Sequence, residues 1–63
     1  MPFIHITMAT GRTPEQKRAL LAAVADAVHE TTGTPRESVR AWITEVDPSA
    51  VIAGGVILSD RRK

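Results

Sequence analysis

"TPEQKRALLAAVADAVHETTG", residues 13–33, is the stretch whose reading decides the fold. Its opening is a helix start: Thr13 is the N-cap, Pro14 takes the first helical position, where a missing N–H costs nothing, and Gln16 stands where a capping-box partner reaches back. Leu20, Leu21, Val24, Ala27, Val28 and Thr31 recur at the spacing of one helical face, with Lys17, Arg18, Asp26, His29 and Glu30 expected at more exposed positions. Gly33 ends the helix as a left-handed residue, and Pro35 follows two positions later. A helix of about 19 residues can carry the chain back along a strand, so the segments flanking it are expected to lie parallel, joined by a right-handed crossover.

Those flanking segments read as strands. "PFIHITM" (2–8) is rich in isoleucine and phenylalanine and is bounded by "ATGRT", while "VRAWITEV" (39–46) alternates with the period of two that a strand requires. Between the helix and the second strand, "TPRES" repeats the Thr-Pro capping pattern and predicts one short turn. "DPS" and "AGG" are turn signals that frame the β-like pieces "AVI" and "VIL", a small hairpin. The polar end "SDRRK" is expected to fray, with residues 58–63 as a flexible tail. The expectation is a single domain over residues 1–63 of the α/β (α+β) class: a βαβ subunit with two parallel strands, one long helix and a short C-terminal β-hairpin. One helix covers one face of such a sheet, and the other face must meet another copy of the chain.

Length and composition agree with that need. A chain of 63 residues buries too little surface for comfortable independent stability. With no cysteine there is no disulfide, and His5 and His29 have no metal-ligand spacing, which leaves oligomerisation to compensate. Eight basic and seven acidic residues give a net charge of +1, which predicts neither nucleic-acid wrapping nor attachment to acidic membranes. The run Arg61, Arg62, Lys63 is too short to argue otherwise. No basic region precedes the apolar start and no apolar run approaches the roughly 18 residues of a membrane span, so a soluble, cytoplasmic protein is expected. Neither a serine–histidine–acid set nor a phosphate-loop glycine pattern is present.

Pro2 raises a chemical question. Proline is tolerated at the first residue of an edge strand, and that is one sufficient reason for it. The other is that removal of Met1 turns Pro2 into the N-terminus, with a secondary amine where an amide nitrogen stood. A free α-amino group has a reference pKa of about 7.7 to 8.0, and burial beside cations lowers it, giving a base suited to taking a proton at neutral pH.

A proline behind the initiator methionine at the head of an apolar strand, "GR" (11–12) before a Thr-Pro-Glu-Gln-Lys helix start, "SVRAWITE" (38–45) on the second strand and "GG" (54–55) near the end together resemble the 4-oxalocrotonate tautomerase family. The resemblance covers essentially the whole chain, with ungapped spacing from Pro2 through Gly55. It implies a βαβ monomer assembled into a homohexamer (a trimer of dimers) or a related arrangement, an isomerase that needs no cofactor and no metal, and a setting such as aromatic degradation. Pro2 would be the catalytic base, and Arg12 and Arg40 would reach a given Pro2 from other subunits, which makes the oligomer the catalytic unit. Arg12, beside a helix N-terminus that already favours anions, would hold a substrate carboxylate. Arg40 would clamp a carboxylate or carbonyl oxygen and stabilise the developing enolate, with an ion pair to Glu45, Asp47 or a neighbouring subunit as the alternative. Where many members carry an aromatic residue shortly before the Gly-Gly pair, this chain has Val51. Trp42, two residues after Arg40 and on the same strand face, would supply an apolar wall instead, or would pack in a subunit interface.

The function so implied is cofactor-independent tautomerisation of an enol or dienol 2-oxo acid or dicarboxylate, such as 2-hydroxymuconate or phenylenolpyruvate. Two alternatives stand beside it. One is a non-catalytic oligomeric binding module on the same scaffold; the other is a related dehalogenase or decarboxylase of small unsaturated acids.

Overall fold

The computed structural model describes residues 2–62, with the Arg62 side chain left aside; Met1 and Lys63, and with them the question of Met1 removal, lie outside the described residues. The chain runs β1 (Phe3–Ala9), α1 (Pro14–Thr32), β2 (Arg40–Val46), β3 (Ile52–Ala53) and β4 (Val56–Ile57), with 3-10 turns at Arg36–Ser38, Pro48–Ala50 and Leu58–Arg62. Both ends of α1 follow their local chemistry. Thr13 Oγ1 accepts from the Gln16 N–H at 3.1 Å and Gln16 Oε1 accepts from the Thr13 N–H at 3.0 Å, a closed capping box. At the other end the Gly33 N–H donates to His29 O at 3.0 Å.

β1 and β2 are parallel neighbours in the register Phe3↔Arg40, His5↔Trp42, Thr7↔Thr44 and Ala9↔Val46 on one face, with Ile4↔Ala41, Ile6↔Ile43 and Met8↔Glu45 on the other. The second set is the better buried and lies under the helix, because Glu45 on that face accepts from Lys17 Nζ of α1 at 3.0 Å. β3 and β4 form a separate antiparallel pair. Their two-residue turn, Gly54 and Gly55, has φ of 60° and 80°, the doubly left-handed geometry that matches strand twist and that two glycines enter without strain.

Four details depart from the sequence reading. β1 starts at Phe3 rather than Pro2, and β2 at Arg40 rather than Val39, whose N–H instead closes the 3-10 turn onto Arg36 O at 3.1 Å. The helix face against the sheet is Lys17, Leu20, Leu21, Val24, Ala25, Val28 and His29, whereas Ala27 and Thr31 are exposed. Lys17 and His29 sit deeper than charge alone suggests because each has a partner, Glu45 for Lys17 and Thr34 O, 2.8 Å from His29 Nδ1, for the imidazole. The segment expected to fray folds back as the turn Leu58–Arg62, where Arg61 Nη2 donates to Ala53 O at 2.7 Å and the Leu58 N–H to Val51 O at 2.7 Å.

Within this one chain no described residue is fully buried. Phe3 is 66% exposed, Trp42 45%, Ile52 65% and Val56 40%, so both the uncovered sheet face and the hairpin present large apolar side chains to solvent. The radius of gyration is 14.7 Å, where a compact chain of this length has about 11 Å. An isolated two-stranded hairpin is marginal in water, and apolar patches of this kind mark contact surfaces.

Candidate active site

Pro2 heads β1, half-buried, and its carbonyl accepts the Arg40 N–H at 3.1 Å. Parallel pairing is the cause: it sets the beginnings of β1 and β2 side by side, so residues 38 positions apart in the chain become neighbours at one edge of the sheet. Arg40 is exposed on the uncovered face. Its Nη1 donates to Glu37 O at 2.7 Å and to Val39 O at 3.3 Å, both carbonyls of the turn just before β2. A guanidinium has five N–H donors; with Nη1 engaged, the Nε–H and the Nη2 pair remain, the edge that grips a carboxylate in bidentate fashion.

The alternative of an Arg40 ion pair with Glu45 or Asp47 does not form within the chain. Glu45 points to the helix side and pairs with Lys17. Asp47 caps the turn Pro48–Ala50, accepting from the backbone N–H of Ser49 at 2.9 Å and from its hydroxyl at 2.8 Å. These two bonds, the backbone one foremost, hold its carboxyl below the usual carboxylate range.

Arg12 lies at the opposite edge. β1 ends at Ala9, Thr10 adds one more bond to β2 through Val46 O at 3.0 Å, and Gly11 then turns with φ 127°, a conformation that suits glycine, to bring Arg12 just ahead of the helix cap. Among the described residues the exposed Arg12 has no hydrogen-bond or ion-pair partner. Seven strand residues separate this loop from Pro2, about 20 Å at the rise of a parallel strand. No small acid bridges that gap, so one subunit does not bring Pro2 and Arg12 to a common ligand.

Trp42 shares the uncovered face with Arg40, as a period of two requires, and the His5 ring stacks on it with centroids 5.2 Å apart and planes 16° apart. His5 Nε2 is also 2.8 Å from Thr44 Oγ1. Val51 belongs to the C-terminal appendage, half-buried where the 3-10 turn meets β3. His5 as the partner of Trp42, and the Glu37 carbonyl as the anchor of Arg40, escaped the sequence reading. Strand alternation puts His5 and Trp42 each on a face of its own strand, and only the register says that the two faces are one. Among the described residues, no group of three or more His, Cys, Asp or Glu side chains is arranged to hold a metal ion, and no helix is long and apolar enough to cross a membrane.

Comparison with known proteins bears on this arrangement. Residues 2–61 match the family model described as tautomerase enzyme. A probable tautomerase of Bacillus cereus is 44% identical over 61 residues, covering 97% of this chain and all of the relative. The 2-hydroxymuconate tautomerase of Bacillus subtilis is 42% identical over 60 residues, 95% of this chain and 97% of that one. Among solved structures, TomN, a 4-oxalocrotonate tautomerase homologue in the tomaymycin biosynthetic pathway, superposes with a TM-score of 0.93 at 41% identity, covering 97% of this chain and 94% of its own.

Proposed function

The chain belongs to the tautomerase family, an isomerase family, and on that premise we propose that Pro2, freed by removal of Met1, is the general base of a cofactor-independent keto–enol isomerisation. The substrate is an enol or dienol of a 2-oxo acid or dicarboxylate; 2-hydroxymuconate and phenylenolpyruvate are its test compounds. The proline nitrogen takes the hydroxyl proton of the enol, the oxygen electron pair forms the carbonyl, and the displaced π pair takes the proton back from the prolinium at a carbon. Nothing is gained or lost overall. Arg40 binds and polarises the oxygen that carries the developing charge, Arg12 holds a carboxylate, and Trp42 and Val51 form apolar walls that keep water from the amine.

The observation that most supports this reading is the separation of Arg12 from Pro2, about 20 Å along β1. The catalytic unit is then an oligomer in which Arg12, and by the family resemblance Arg40 as well, reaches a given Pro2 from another copy. We take that oligomer to be a homohexamer, a trimer of dimers, working in the cytoplasm, and its contacts cover Phe3, Trp42, Ile52 and Val56. Light scattering at micromolar concentration should give a mass near six times the 6.8 kDa chain. A folded monomer would remove the basis for the shared site.

The activity itself is tested by ultraviolet assays on both compounds, with intact mass measured on the same samples. Protein lacking Met1 should turn over at least one of them. Protein that retains Met1 should be inactive, because its proline nitrogen is an amide without a basic lone pair. Turnover by the Met1-retaining form would rule out the proline base.

A further inference from the structure

A cation that stabilises an enolate has to be aimed before the substrate arrives, since reorientation during the reaction costs rate. Arg40 is aimed by backbone. Its Nη1 is held by Glu37 O at 2.7 Å and Val39 O at 3.3 Å, so the direction of the free Nε–Nη2 edge depends on where the Arg36–Ser38 turn lies. That turn is internally closed by the Ser38 N–H on Pro35 O at 2.9 Å and the Val39 N–H on Arg36 O at 3.1 Å. What ties it to the body of the subunit is Arg36, whose Nε donates to Asp26 Oδ1 of α1 at 2.6 Å. Among the described residues this is the one ion pair between the helix and the turn; His29, whose Nδ1–H donates to Thr34 O, acts upstream of it.

Resting on the role given to Arg40 above, we propose that Asp26 and Arg36 are positioning residues for Arg40: their ion pair pins the turn whose carbonyls hold the guanidinium, leaving the carboxylate-binding edge free. Neither touches substrate. The direct hydrogen bond to Asp26, more than the surrounding charges, also raises the pKa of Arg36.

The effect is bounded by the pair's exposure, 53% for Arg36 and 59% for Asp26. A pair so open to solvent supports a change of at most about fivefold. Arg36→Ala is therefore expected to lower kcat about two- to fivefold with a smaller change in KM. Asp26→Asn, which keeps the side-chain volume, should match it, and Arg36→Lys, which keeps the charge opposite Asp26, should recover most of the loss. The deciding measurement is the same change made in an Arg40→Ala background, where no further loss is expected because the group being aimed is gone. An equal cost in both backgrounds, or none in the parent enzyme, would overturn the proposal. If Arg40→Ala alone left kcat unchanged, the role of Arg40 would fall instead, and the proposal with it.

Discussion

Pro2→Ala, with Met1 removed from both proteins, should lower kcat by a factor on the order of 10². An alanine N-terminus keeps an amine of similar reference basicity, so the loss is not one of a titrating group. What disappears is the ring. The pyrrolidine ring blocks rotation about the N–Cα bond and so aims the lone pair of a secondary nitrogen in one direction from the head of β1, whereas the amine of alanine rotates and hydrates freely. A base displaced by about 1 Å from the proton it must take forfeits roughly that 10². Ultraviolet assays on 2-hydroxymuconate and phenylenolpyruvate at saturating substrate read the difference directly, and near-equal rates in the two proteins would exclude Pro2 as the base.

The second large effect belongs to Arg40. Removing its guanidinium takes away charge stabilisation that strengthens as the enolate forms, so kcat should fall by a factor on the order of 10² in Arg40→Ala. Arg12→Ala removes a carboxylate anchor remote from the reacting carbon. If that contact is equally strong in the ground and transition states, its loss is expected mainly in KM. The pH profile separates the two further. Each cation disfavours protonated Pro2, so deleting one raises the pKa of the amine and moves the lower limb of kcat/KM to higher pH, more for the closer arginine. Wild-type constants and unmoved limbs in both variants would take the arginines out of the site.

These predictions join residues that a sequence sets far apart, and the two levels of structure contributed differently. The capping box of Thr13 and Gln16, the stop at Gly33 and the Gly54–Gly55 hairpin turn were legible because each depends on bonds between residues a few positions apart. The parallel course of β1 and β2 followed from helix length. The buried helix face was legible only in part: apolar spacing picked out Leu20, Leu21, Val24 and Val28, but Ala27 and Thr31 turned out exposed, and Lys17 and His29 were drawn inward by Glu45 and Thr34. The tail was misjudged because its polarity was visible, whereas the Ala53 carbonyl that Arg61 reaches was not.

What the sequence by itself determined is therefore the set of local elements and their order, while its family resemblance named Pro2, Arg12, Arg40, Trp42 and Val51 as the candidate site residues. Tertiary structure alone decided that Arg40 stands beside Pro2 while Arg12 lies at the far edge of the sheet, that His5 stacks on Trp42, and that the turn after Asp26's partner Arg36 holds the Arg40 guanidinium. The physical reason is range. Capping, turn chemistry and periodicity act over a few residues, whereas register and side-chain partners across a sheet depend on packing that sums contributions from the whole chain.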